Sequence, residues 1–215
     1  MAPAPSRTRV RLQIDQRRAR LLELGTQLFS TRPYEDISIE EVAEAAGISK
    51  GLLYYYFHGK KEFYVETIRE ASLQLRRLTQ PDPSLPPAAR LRAAVDAHLD
   101  YVQGHGAVYA AIHGSGASIS PEIGEILEEH REVMMRYFLQ NLGFKRARPV
   151  LRSALRAWIV MVEGSSLDWI GHPELKRDDL RELLVAGYIA MLVKALEIDP
   201  KSGKGSGAAS GHARY

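Results

Sequence analysis

Residues 49–56, Ser-Lys-Gly-Leu-Leu-Tyr-Tyr-Tyr, place one cation, one glycine and three phenols within two helical turns. That set suits the groove of a nucleic acid. The Lys50 ammonium can reach a guanine edge or a phosphate, and Leu52 can pack on a thymine methyl. Gly51 permits close backbone approach. Tyr54 and Tyr55 each carry a hydroxyl on a rigid ring that can reach phosphates or bases, with a core role as the alternative for Tyr55. Ser38 and Lys60 fall at expected helix N-termini, where backbone N–H groups and the helix dipole favour phosphate. Charge points the same way. Residues 1–20 carry six arginines, among them Arg7, Arg9 and Arg11, against Asp15 alone, so they hold +5 of a chain total of +3 and leave −2 for the rest. A basic arm on a near-neutral body suits a polyanion, following its backbone or entering a minor groove; a solubilising tail is the alternative.

These residues need a scaffold, and the segment 37–57 supplies one. Ser38 caps a short helix over about 39–46, with Glu41 three positions on as its capping-box partner. Gly47 ends it, and Ser49 caps a second helix over about 50–57. Two short helices joined by a glycine-containing turn form a helix-turn-helix. Val42, Ala43, Ala46, Ile48 and Leu53 are spaced to bury the crossing. A hairpin that serves stability alone is the competing reading, and the arm and the run of tyrosines weigh against it. Every other long periodic segment also reads as helix, and none alternates as a half-buried strand must. Helices are expected over about 14–30, 61–78, 88–105, a short one holding Tyr109 and Ile112, 121–142, 148–170 and 178–198. The fold class is therefore all-α with about nine helices. Segment 81–87 is a proline linker. Residues 1–12 are expected to be disordered, as is the Gly/Ser-rich stretch 199–215.

The stretch from Leu21 to Ile68 resembles the N-terminal DNA-binding domain of the tetracycline-repressor (TetR) family. The resemblance rests on Leu28–Phe29, Tyr34, the Ser38–Ile39 entry, VAEAAGISKGLLYYYF and Lys60–Lys61–Glu62–Phe63, about 50 residues in all. One departure is Arg32–Pro33, where the family usually has Gly. The resemblance implies a DNA-binding domain at 13–60 and an effector-binding and dimerisation domain at 61–198. It implies a homodimer on a palindromic operator, with Tyr56 at a position that often contacts the DNA backbone. It further implies a ligand-responsive transcriptional regulator, most often a repressor. The last two helices would form a four-helix bundle across a two-fold axis, with Ala154, Trp158, Ala186, Tyr188, Ile189, Leu192 and Val193 as candidate members.

Candidates for an effector pocket are His98, Tyr101, Tyr109, His113, Met134, Phe138, Trp158, Val162 and Glu163. Apolar walls with a few polar points describe a pocket, and they equally describe a core. A satisfied core histidine is the alternative for His98 and His113. Glu163 sits in the apolar run WIVMVEG, where a carboxylate needs a partner or solvent. The stretch WIVMVEGSSLDWI resembles C-terminal segments of actinobacterial regulators of lipid metabolism, which implies an apolar or acyl effector such as an acyl-CoA.

The remaining composition excludes much. The 215 residues are 45% apolar and 26% charged, with no cysteine, so disulfides and thiolate chemistry are ruled out. The longest apolar run, 157–162, is far short of the roughly 20 residues of a membrane span. The N-terminus lacks the apolar core of a secretory signal, which points to the cytoplasm. No Ser/His/Asp set, phosphate loop or metal-ligand spacing stands out, so neither an enzyme nor a cofactor or metal site is expected. A DNA-binding protein without an effector, nucleoid-associated or constitutive, is the competing function.

Overall fold

The computed structural model describes residues 7–80, 82–114, 119–146 and 148–200, with side chains from Ile14 onward. Among the described residues every regular element is helical. The α-helices are α1 (Arg7–Thr31), α2 (Ile39–Ala45), α3 (Lys50–Tyr56), α4 (Lys60–Leu78), α5 (Pro87–Gly114), α6 (Pro121–Asn141), α7 (Pro149–Gly171) and α8 (Arg177–Ile198), with one 3-10 turn at Tyr34–Asp36. Pro87, Pro121 and Pro149 each open a helix, where a missing N–H costs nothing and the fixed φ already suits the helix.

Two expectations are corrected. The first helix starts at Arg7, not near Ile14. After Pro5 no residue breaks the helix, and arginine is a good helix former. Arg7, Arg9 and Arg11 thus sit on helical backbone, and their side chains lie outside the described residues. So do residues 1–6 and 201–215, on which most of the expected disorder falls. The two helices expected on either side of His105 are one element, α5, kinked at His105 (φ −135°, ψ 28°). Glycines flank this position in Gly104–His105–Gly106, and each weakens the helix locally. The His105 ring stacks on Tyr101 at 4.4 Å, and its Nδ1 donates to the Tyr101 carbonyl at 3.0 Å.

The chain packs as two compact units. One comprises Met1–Arg77 with Tyr101–Glu128, and the other Leu78–Asp100 with Glu129–Tyr215. In the first, Phe29, Ile37, Val42, Leu53, Phe57, Phe63, Ile68, Val108 and Ile123 are buried in one apolar cluster. In the second, Leu99, Leu151, Leu155, Trp158, Leu180 and Leu184 form the centre of another.

Candidate nucleic-acid interface

Local hydrogen bonds fix the helix-turn-helix. The Glu41 N–H donates to the Ser38 hydroxyl at 3.1 Å, and the Ser38 N–H donates to the Glu41 carboxylate at 2.7 Å. This reciprocal cap starts α2. The helix ends on Gly47 at φ +62°. There the Ile48 N–H donates to the Ala43 carbonyl and the Gly47 N–H to the Glu44 carbonyl, at 3.0 and 2.9 Å. This pair of bonds is the Schellman closure, which needs a residue tolerant of positive φ at Gly47. The Leu52 N–H then donates to the Ser49 hydroxyl at 3.2 Å and starts α3. Val42, Ala43 and Leu53 are buried at the crossing, with Ala46 and Ile48 packed against them.

The outer face of α3 has a different character. Leu53 and Phe57 are fully buried, while Tyr54 is 42% and Tyr55 68% exposed. That exposure removes the core alternative for Tyr55. Gly51, Ser49 and Lys50 are exposed, and Leu52 and Tyr56 are half-buried. The Tyr55 and Tyr56 rings meet edge to face at 5.4 Å. Lys50 forms an ion pair with Glu40 of α2 and lies 5.8 Å from the Tyr54 ring centre. The Glu40 hydrogen bond raises the Lys50 ammonium above its ordinary value and lowers the Glu40 carboxyl in return. Glu40 carries no signal of this role in the sequence; it lies ten positions before Lys50, a spacing that the turn alone makes close. Lys60, at the start of α4, donates to the Glu35 carbonyl at 3.3 Å and sits 4.1 Å over the Tyr34 ring. Ser38 is half-buried and its hydroxyl is engaged in the cap. The structure thus brings Ser49, Lys50, Gly51, Leu52 and the three tyrosines onto one short helix. Ser38 and Lys60 stand at the starts of its two neighbours.

Of the nine effector candidates, Tyr101, Tyr109 and His113 belong to the first packing unit, and the other six to the second. Tyr101 and Tyr109 are buried, and burial pushes the Tyr101 phenol up to about 12. In the second unit, Phe138, Trp158 and Tyr188 interlock with ring centres 5.0–5.3 Å apart, and Trp158 Nε1 donates to the Leu184 carbonyl at 2.8 Å. Trp158 and Tyr188 are therefore buried inside the protomer rather than presented to a partner. His98 Nε2 is in hydrogen-bond contact with the buried Ser166 hydroxyl at 3.0 Å. Met134 is half-buried, with Thr79 Oγ1 3.8 Å from its sulfur. Val162 is buried. Glu163 has its partner in Arg131, whose Nε donates to both carboxylate oxygens at 3.0 Å and whose Nη2 donates at 2.7 Å.

The second unit also holds a groove of about 300 Å³, lined by the start of α5, the end of α6 and α8. Leu91, Ala94, Leu142, Val185 and Leu192 make it largely apolar, and Arg90 and Asn141 stand among them. Arg90 is held by Asn141 and by the carbonyls of Leu85 and Pro83. Of the nine candidates Phe138 is the one that lines this groove. Arg131, Ser166 and Arg90 carry no local signal in the sequence; their partners lie on other helices or in loops.

An all-helical chain whose helix-turn-helix turns two tyrosines and a lysine outward belongs, by fold and site, with the helix-turn-helix DNA-binding regulators. Comparison with known proteins narrows this. Residues 21–67 match the family of bacterial regulatory proteins, tetR family, and residues 87–191 match the tetracyclin repressor-like C-terminal domain. The HTH-type transcriptional activator FasR of Mycolicibacterium smegmatis is 31% identical over 120 residues, 53% of this chain and 52% of that protein. The HTH-type transcriptional repressor DhaR of a Mycobacterium species is 29% identical over 57% of this chain and 60% of its own length. The match to these two relatives thus spans little more than half of each. A crystal structure of a tetR-family transcriptional regulator from Streptomyces coelicolor superposes with a TM-score of 0.81 at 28% identity, covering 88% of this chain and 86% of that one. The chain belongs to the TetR family of transcriptional regulators.

Proposed function

We propose that this protein is a homodimeric repressor that binds a palindromic operator through α3 and is released by a small apolar or acyl-type effector. The observation that carries the reading is the two-faced α3, buried at Leu53 and exposed at Tyr54 and Tyr55. Large exposed aromatics on a capped, rigidly seated helix are suited to a partner surface. Residues 13–60 carry DNA reading, and residues 61–198 carry effector binding and dimerisation. Lys50, Gly51 and Leu52, at the N-terminal end of α3, face base edges, where recognition helices of this motif make their base contacts. Ser38, Ser49, Tyr54, Tyr55, Tyr56 and Lys60 position the motif on phosphates and neighbouring bases.

The dimer is supported by exposed apolar and small residues on the last two helices. Ala157, Val160 and Gly164 lie exposed on α7, and Leu183, Ala186, Ala190 and Val193 on α8. Small residues let two such pairs pack closely. The effector is supported by the groove of about 300 Å³, at the lower end of the size of small-molecule sites. Repression is supported by similarity to DhaR, a repressor; FasR, an activator, makes the opposite sign the competing outcome.

Footprinting on the operator tests the reading. The expected result is two symmetric half-sites about one DNA turn, roughly 34–36 Å, apart or slightly more. Tyr55→Ala is expected to weaken operator binding about tenfold or more while leaving the melting temperature unchanged. A single asymmetric footprint, or operator affinity unmoved by Tyr55→Ala, overturns it. Loss of DNA binding on adding fatty acids or acyl-CoAs separates an effector-released repressor from a constitutive DNA-binding protein.

A further inference from the structure

We infer that the first packing unit carries a binding slot for a small aromatic cation, a ring with a short aminoalkyl arm. Part of its lining, from Phe29 to Glu35, falls within the segment assigned to DNA reading, but no lining residue is among those assigned to operator contact or to the effector groove.

The slot is a cavity of about 360 Å³ within that unit. Its lining combines three rings, Phe29, Tyr34 and Tyr64, with three alanines of α5, Ala107, Ala110 and Ala111. The rings are already mutually packed, Phe29 against Tyr64 at 4.6 Å and Tyr34 against Tyr64 at 4.8 Å. The cavity is therefore space left beside a formed aromatic cluster. Methyl-sized side chains on α5 leave that space open, and a volume near the lower end of ligand sites suits one ring and a short chain.

Two further observations indicate what would fill it. Tyr64 is 1% exposed, and its hydroxyl has no hydrogen-bond partner among the described residues. A buried polar group left unsatisfied is costly, and a ligand with a donor or acceptor relieves it. The second observation is charge. Glu35 lines the slot, is exposed, and has no ion pair among the described residues. The cations at hand are engaged: Arg32, which also lines the slot, is held by Glu41 at 3.0 Å and by the Asp36 carbonyl, and Lys60 by the Glu35 carbonyl and the Tyr34 ring. The negative charge of Glu35 reaches the rings. Burial first, and Glu35 second, raise both the Tyr34 and Tyr64 phenols, the latter to about 12. Burial opposes a charge of either sign, but the Glu35 contribution is a negative field, which favours a cation over a carboxylate. Aromatic faces add to that preference; the Tyr34 ring already holds the Lys60 ammonium, so Phe29 and Tyr64 are the faces offered to a ligand.

The test is calorimetric titration of the full chain, without DNA, with phenethylamine and two analogues of matching shape, phenethyl alcohol and hydrocinnamate. Phenethylamine is expected to bind saturably, with hydrocinnamate about tenfold or more weaker. Glu35→Gln alters an exposed side chain and is expected to lower amine affinity about fivefold while closing the gap to the alcohol. Ala110→Leu fills the slot and is expected to abolish saturation with the melting temperature retained; should that variant not fold, Glu35→Gln decides. Absence of saturable amine binding, equal binding of amine and carboxylate, or amine affinity indifferent to Glu35→Gln overturns the inference. Operator affinity of the same preparation is a separate readout, so failure of the slot and failure of the DNA-binding reading are told apart.

Discussion

Glu41 and Glu163 are both paired with arginine, yet the two carboxylates act differently. Glu163 is buried and its charge is met by Arg131, so the pair must be kept or lost together. Glu41 is at the surface and its carboxylate closes the cap of α2. The Ser38 N–H, and next to it the Arg32 guanidinium, hold the Glu41 carboxyl at about 2 instead of its ordinary 4.5. Because the folded value lies below the unfolded one, the stabilisation is complete above pH 4.5 and is lost as pH falls from there toward 2. Glutamine keeps an acceptor for the Ser38 N–H but carries no charge. Glu41→Gln is therefore expected to flatten the fall of melting temperature with pH in this window, with the two proteins converging near its acid end. Parallel curves for the two proteins across this range would contradict the assignment.

At the scale of elements, what the chain states locally is legible and what depends on distant neighbours is not. Ser38, Glu41, Gly47 and Ser49 announce the ends of α2 and α3 because each cap is made within a few residues. The start of α1 is obscured because six N-terminal arginines suggest solvation but do not forbid a helix. The continuity of α5 is hidden because two glycines beside His105 read as a break, and the chain answers with a kink. The partners of the buried polar candidates are least legible: His98 and Ser166 are 68 positions apart and Arg131 and Glu163 are 32 apart, so their pairing is set by tertiary packing. One helix crossing makes a sharp test. A β-carbon added at Gly25 of α1 would press on Thr67 Oγ1 and come within 2.8 Å of the Phe63 ring of α4. Thr67 is fully buried and its hydroxyl is tied to the Phe63 carbonyl at 2.8 Å, so it has little room to retreat. Although alanine is the better helix former by about 1 kcal/mol, Gly25→Ala is expected to destabilise the fold by about 1–3 kcal/mol in denaturant unfolding, as overpacking does.

At the scale of the whole molecule, the proposed palindromic operator requires that two copies of the chain be held together. Val193 is 50% and Leu183 58% exposed on α8, and a charge placed there would be buried unpaired in the proposed dimer. Val193→Asp is expected to weaken dimer association by about 2 kcal/mol or more. Sedimentation should then show monomer at micromolar concentration, with operator binding abolished in step. A variant that stays dimeric there would move the interface elsewhere.

The pairing of Lys50 with Glu40 has a consequence for how the protein finds DNA at all. Residues 35–60 carry five carboxylates against Lys50 and Lys60, a net −3, whereas residues 1–20 carry +5. A lysine that arrives with its own carboxylate neutralises few phosphates and displaces few of the sodium or potassium ions condensed on the duplex. On the proposed reading the motif therefore adds little to the ionic-strength dependence of binding, which is then expected to originate in the arginines that precede it. Removing residues 1–12 is expected to lower the slope of log affinity against log salt by about 0.9 for each phosphate that is no longer neutralised. The ratio of operator to unrelated DNA should stay as it was, so that attraction and discrimination are carried by separate stretches of one chain.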